Sequence, residues 1–428
     1  MKNNSRHIIT IAAMLIALLA LIAASCGTPL RKPLDDPSPP PVETTPGIDA
    51  DAQNEDPLGT DTMPDDTTTP VTKDDGPPPS VYPGPDVELF PYNGIVEHIF
   101  FHEVIAYPSL AFDGDSQQKN FDTNMVTVSE FKKIIESLYS KNYILVNIND
   151  VWSEYTNDDG EIRMRRNALM LPDNKKPIII SFDDISFYEY MQSNGFMHKL
   201  IIGEDGEIWA VGVDPDGNPV TSQDLAVVTI IDKFVKEHPD FSLGGAKGCI
   251  ALTGYEGILG YRTQFDVNNN TPAAKLNRMQ EIARVRPVIS KLKSTGWYFA
   301  SHSYGHIAID KKPLEEVKAD ATRWMDEVGS LVGETKIFLY PFGARLDGDD
   351  VDKTGPAFKF YHDLGFRVFA SVGYESYVKI KTDIAAVICD RISIDGTRLR
   401  NYRNEYNRFY NVAEVFDDVR PAEYDKKW

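Results

Sequence analysis

The sequence predicts an α/β fold built on a mostly parallel sheet or barrel. Short apolar runs alternate with helical stretches along most of the chain, and two of those runs end in clusters of acidic or imidazole side chains. The first is Pro177-Ile178-Ile179-Ile180-Ser181-Phe182-Asp183-Asp184. Its three branched apolar residues read as a strand buried on both faces. Adjacent side chains on a strand point opposite ways, so both acids serve one site only where the strand has become a loop. The second run, Trp297-Tyr298-Phe299-Ala300-Ser301, leads into His302-Ser303-Tyr304-Gly305-His306. Chemistry sits at the carboxyl ends of strands in parallel architectures. Alone, the Asp pair also suits a helix cap, and two His four apart is a short pattern. Together, two imidazoles and a carboxylate make a three-ligand metal site with open positions for water and substrate.

Taken in order, Glu97 to Val104 reads as a strand with His98, Phe100 and His102 on one face. Val128 opens a helix to about Ser140, with Ser or Thr caps and Glu130 in the first turn. Tyr143 to Val146 reads as a strand, and Ile148-Asn149-Asp150 as the start of a further helix. The Gly/Asp-rich stretch from Gly203 to Pro219 reads as a hairpin with tight turns, a surface excursion more than a groove wall. Helices are expected at Ala226 to Lys236, Ala273 to Ser294, Leu314 to Leu331 and Pro356 to Leu364. Strands are expected at Gly248 to Leu252, Tyr298 to Ser301, Lys336 to Tyr340, Arg367 to Val372 and Ala386 to Ile394. No internal repeat is present.

The 428 residues suffice for two average domains or one barrel with appendages. A formal net charge of -20 argues against nucleic acid or an anionic membrane surface as partner. Three cysteines, Cys26, Cys249 and Cys389, build neither a disulfide framework nor a Cys-based zinc site. Lys2 and Arg6 flank an apolar run from Ile8 to Ala24, which reads as an export segment. Ala23-Ala24-Ser25-Cys26 resembles a bacterial lipoprotein signal, which implies residues 1–26 as signal, lipidation at Cys26 and anchoring to the outer face of the cell membrane. A cleaved secretory signal or an uncleaved anchor is the alternative. Residues 27–88, rich in Pro, Thr and Asp with few large apolar side chains, cannot offset their ordering entropy and read as a disordered linker. About half of the net charge falls there. Residues 89–428 are the expected catalytic domain.

Ser-Phe-Asp-Asp at Ser181 to Asp184, His-Ser-Tyr-Gly-His at His302 to His306, and Pro341-Phe342-Gly343 occur in that order. The ordered set resembles the polysaccharide deacetylases of the NodB homology type, carbohydrate esterase family four, over most of Phe90 to about Arg400. The resemblance implies a distorted (β/α) barrel preceded by the linker. It implies Asp183 as general base and Asp184, His302 and His306 as ligands of one divalent metal, zinc first, with cobalt, nickel or manganese as alternatives. By the same position Phe342 would supply a backbone oxyanion donor. The late histidine of the usual pattern is missing, since none follows His362. Phe101-His102-Glu103 matches the permuted branch resembling poly-N-acetylglucosamine deacetylases, which carries that histidine early. This implies His102 as the acid, with His98 behind it. The motif Arg before Pro-aromatic-Gly is also absent, leaving Arg391 as a substitute from another strand. Ile185 stands where the family has Gly, so the backbone there must accept a β-branched residue.

The loop Thr253 to Thr263 is rich in Gly and Tyr, and Tyr255, Tyr261 and Arg262 are candidates for sugar contact; an ordinary connecting loop is the alternative. The expected function is metal-dependent removal of acetyl groups from an N-acetylated envelope or extracellular polysaccharide, peptidoglycan or an N-acetylglucosamine polymer. An O-acetyl esterase and a non-catalytic carbohydrate-binding lipoprotein are the rivals. A zinc protease is poorly supported, because no Glu beside His302 acts as base.

Overall fold

A computed structural model describes residues 81–346 and 354–424; the expected signal segment, Cys26 and most of the expected linker lie outside them. Eight strands organise the fold: β1 (Glu97–Phe101), β2 (Tyr143–Leu145), β3 (Lys176–Phe182), β4 (Gly248–Leu252), β5 (Trp297–Ser301), β6 (Ile337–Leu339), β7 (Val368–Val372) and β8 (Ala386–Ser393). Seven close into a ring, β3-β4-β5-β6-β7-β8-β1 and back to β3, with every pairing parallel. The fold is therefore a closed parallel (β/α) barrel, as the alternation of strands and helices predicts.

One edge of β3 is shared. Its first half pairs with β2 and its last two residues pair with β4, through Cys249–Ser181 and Ile250–Phe182. Gly248 permits the squeeze, because a Cβ there would lie 2.9 Å from the Phe182 ring and 3.1 Å from the Ile180 carbonyl oxygen.

Period-2 alternation sorts the strand residues into two cores. Ile179, Cys249, Ala251, Ala300, Ala370 and Cys389 fill the barrel interior; several are small, as a narrow barrel demands. Ile178, Ile180, Phe182, Ile250 and Phe299 face outward beneath the helices. Those helices are α1 (Val128–Ser140), α2 (Val227–Glu237), α3 (Pro272–Ser294), α4 (Leu314–Trp324), α5 (Pro356–Asp363) and α6 (Gly396–Asn401). α1 starts at a capping box, in which the Thr127 side chain accepts from Glu130 N while the Glu130 carboxylate accepts from Thr127 N. α3 starts with a Thr271 cap and Pro272 in its first turn.

Three local expectations change. Ile148–Asp150 is one 3-10 turn capped by Asn147, not the start of a helix, because the chain leaves directly into the hairpin Trp152–Thr156/Ile162–Arg166. The Gly203 to Pro219 stretch belongs to a three-stranded meander, Lys199–Ile202, Ile208–Val213 and Pro219–Ser222. Its tight turns are exposed as expected, but its middle strand is not a surface excursion: Ile208 and Ala210 are buried in the outer core. The helix expected to reach Leu331 does reach it, but with one π turn, Met325–Gly329, set between Leu314–Trp324 and a last α turn at Ser330–Val332.

The C-terminal segment is tied down by buried charge. Arg420 donates to both Glu130 oxygens at 2.7 Å and to Asp122 at 3.0 Å, and Arg400 donates to both Asp122 oxygens. These ion pairs fix the chain after β8 against α1 and the segment before it.

Candidate active site

Asp183 follows β3, and its backbone N–H donates to Phe101 O at 2.8 Å, tying the ends of β3 and β1 together. Its side chain is buried against Arg391, which rises from β8. The guanidinium donates to Asp183 Oδ1 at 2.7 Å and to Oδ2 at 2.9 Å, and to Ser181 Oγ at 3.0 Å. It also covers the Phe100 ring, 4.3 Å from the centroid. Burial works against ionisation of Asp183, but the Arg391 guanidinium outweighs it, by its charge and its hydrogen bonds, and holds the carboxyl below its ordinary value.

Asp184 takes φ 60°, a left-handed conformation that breaks the strand alternation and turns the second acid into the same region. Ile185, where glycine was the usual residue, does not carry the positive φ; Asp184 and Phe187 do, and the Ile185 side chain is buried in the outer core. Asp184 Oδ1 accepts from the Tyr188 hydroxyl at 2.5 Å, while Oδ2 lies 3.5 Å from His306 Nε2.

His302 leaves β5 fully buried, and its Nδ1 donates to Leu339 O at 2.8 Å. That fixes the tautomer and leaves the Nε2 lone pair facing the acids. His302 Nε2 lies 3.8 Å from Asp183 Oδ2 and is buried without a hydrogen bond. Burial lowers the His302 pKa against the pull of Asp183 and Asp184, so the ring is neutral, as a ligand must be. The following turn hangs on Asp320 of α4, whose two oxygens accept from Tyr304 N at 2.8 Å and Gly305 N at 2.7 Å. This brings His306 over His302, with ring centroids 5.0 Å apart.

One ligand atom each from Asp184, His302 and His306 lie within 4.8 Å of one another. Tetrahedral zinc with bonds of about 2.0–2.2 Å holds its ligand atoms roughly 3.4 Å apart. The donor set and the orphaned His302 Nε2 therefore fit a divalent cation. Backbone strain gathers here: among the described residues, nine non-glycine positions have positive φ, and Asp184, Phe187, Ser303, His306 and Phe342 are five of them.

His102 lines one cavity with Asp184 and His306, and its Nδ1 lies 3.2 Å from Asn124 O. His98 sits deeper, its Nε2 3.1 Å from Ser181 Oγ, and does not reach that cavity. Phe342 occupies a 3-10 turn after β6 at φ 57°, with its ring centroid 4.5 Å from that of His306. Tyr255 reaches the cavity wall, stacked on Tyr188 at 5.0 Å. The structure does not bring Tyr261 or Arg262 to the cavity. Tyr261 donates to Leu200 O and is buried, and Arg262 binds the carbonyls of Glu256 and Phe187, so both brace the scaffold. Sequence reasoning missed Tyr188, Thr253 and Asp320. The four-residue spacing of Tyr188 from Asp184 is the one hint available; Asp320 reads as an ordinary helix-surface acid.

No family model matches the chain, and no curated protein matches it. Among solved structures it is similar to the deacetylase PplD of Streptococcus pyogenes in complex with acetate, at 12% identity and a TM-score of 0.41, covering 75% of this chain and 99% of that one. It is also similar to the putative polysaccharide deacetylase BA0330 of Bacillus anthracis, at 10% identity and a TM-score of 0.40, covering 75% and 68%. A third, the polysaccharide deacetylase BC0361 of Bacillus cereus, has 11% identity and a TM-score of 0.37, covering 71% and 66%. These likenesses are distant, and the functional reading rests on this chain's own residues.

Proposed function

We propose that this protein is a metal-dependent deacetylase of the polysaccharide deacetylase type, hydrolysing acetamido groups on an N-acetylated envelope or extracellular polysaccharide. The observation that carries it is the carboxylate Asp183, ionised against Arg391, beside the buried set Asp184, His302 and His306. A divalent cation held by those three would acidify a water and polarise the acetyl carbonyl. Asp183 accepts the proton that the attacking water loses. His102, at the cavity wall, returns a proton to the nitrogen as the carbon–nitrogen bond breaks, leaving acetate and a free amine. The Phe342 backbone N–H is the proposed oxyanion donor, and Tyr255 a sugar contact. Export and anchoring through Cys26 belong to the same proposal and rest on residues 1–26 alone.

The test is acetate release by the purified chain from chitooligosaccharides and peptidoglycan fragments, with added Zn²⁺ or Co²⁺ and with chelator. Metal-dependent release, abolished in Asp183→Asn and lost in His102→Ala with metal still bound, supports the reading. Release from O-acetylated xylan but from no N-acetylated glycan would replace it with an esterase.

A further inference from the structure

We infer that Tyr188 is a positioning residue for the ligand Asp184, standing at the end of a one-way hydroxyl relay that starts at Ser186 and passes through Thr253. The inference rests on the metal-site reading above and adds to it residues that none of its motifs contains.

Three contacts define the relay. The Tyr188 hydroxyl lies 2.5 Å from Asp184 Oδ1 and 2.6 Å from Thr253 Oγ1, and Ser186 Oγ lies 3.2 Å from Thr253 Oγ1. Each hydroxyl carries one proton, and an ionised carboxylate only accepts. The Tyr188 proton must therefore go to Asp184. Tyr188 oxygen then accepts from Thr253, and Thr253 oxygen accepts from Ser186. The direction of the whole chain follows from the charge at its end. All four side chains are buried, so water does not supply alternative partners cheaply.

The Tyr188 ring is not free to swing. Tyr190 stacks with it at 5.8 Å and 14°, and Tyr255 at 5.0 Å and 17°. A clamped ring delivers its O–H to one place. With Oδ1 taken by Tyr188, Asp184 has Oδ2 left for the cation, and that oxygen is the one 3.5 Å from His306 Nε2. Tyr188 thus selects one-oxygen binding and fixes the carboxylate plane, a task that outer partners commonly perform at metal sites.

The experiment is metal binding by the full chain, stripped and then titrated with Co²⁺ and, in competition with a chromophoric chelator, with Zn²⁺. Tyr188→Phe keeps the ring stack and removes one oxygen. Its Kd is expected to rise by about 10- to 100-fold, with a changed Co²⁺ absorption spectrum because Asp184 is released to bind differently. Thr253→Val is expected to shift both readouts the same way by less, and Thr253→Ser to restore them. A Kd within about two-fold of wild type and an unaltered spectrum in Tyr188→Phe would overturn the inference. So would an unaltered Kd and spectrum in Thr253→Val, should Tyr188→Phe fail to fold. If the wild-type chain binds neither ion, the metal reading itself falls, and this inference with it.

Discussion

Asp183 and Arg391, 208 positions apart in the chain, meet through two N–H···O bonds of 2.7 and 2.9 Å with neither side chain reaching solvent. Removing one member of a buried pair strands the other, at a cost of about 3–5 kcal/mol. Arg391→Leu is expected to lower the urea midpoint accordingly and to cut kcat/KM by about 100-fold or more. Arg391→Lys should recover little, because an ammonium does not bind a carboxylate at two points. The sign of the pH effect follows from the depressed carboxyl. In wild type the pair's stabilisation is present above the unfolded carboxyl value and is lost as pH falls through the lower folded value. Without Arg391, burial loses its main counterweight, so the acid limb of the kcat/KM profile should move to higher pH. An acid limb at the wild-type position in Arg391→Leu would remove Arg391 from the mechanism.

Cation binding should be visible as stability. A ligand present at about a hundred times its Kd stabilises the folded state by about 2.7 kcal/mol. Wild type is therefore expected to melt several degrees higher with Zn²⁺ than with chelator, and His302→Ala to show no difference between the two. Equal zinc shifts in both proteins would place the bound ion elsewhere.

Glu103 offers a second pH test, at a carboxyl that lines the same cavity beside His102 but is not one of the proposed ligands. It is buried, its Oε1 accepts from Val104 N and Val227 N, and burial pushes its carboxyl up to about 7 against those two bonds. The folded state thus holds this proton more tightly than the unfolded chain. The corresponding stability is present below the ordinary Glu value and is lost as pH rises through about 7. Glu103→Gln is expected to remove that loss, gaining on wild type by up to roughly 3 kcal/mol between pH 5 and pH 8. Parallel urea midpoints for the two proteins across that range would contradict the assignment.

Arg420 tests the C-terminal tie. Arg420→Met leaves Glu130 without its two-point partner and strips one partner from Asp122. The expected destabilisation is about 3–5 kcal/mol. Calorimetry of the variant checks it, and an unchanged melting temperature would show the tie to be dispensable.

The barrel was legible because its strands are apolar runs of the right length, and the acids and imidazoles stand where those runs stop. Side-chain partners between distant segments were not. Thr253 and Tyr188 meet 65 positions apart with no spacing to announce it, and Asp320 looks like any acid on a helix. Tyr261 and Arg262 share a loop with Tyr255, yet that loop folds so that Tyr255 faces the cavity while the other two face the scaffold. Composition marks such a loop as aromatic without saying which ring turns inward. The three-residue turn at Ile148 reads in sequence as a helix start because Asn and Asp begin both.

The ring of strands closes between β8 and β1, which joins nearly the last part of the domain to nearly the first. A chain emerging from its N-terminus during synthesis therefore presents Asp183, Asp184, His302 and His306 well before Arg391 arrives. Until then Asp183 has no cation to hold its charge in a closed interior, and the interior itself has an open seam. The proposed activity would consequently be the last property the chain acquires as it emerges, and a chain cut short before Ala386 carries every residue of the proposed ligand set while lacking the strand that closes the site around them.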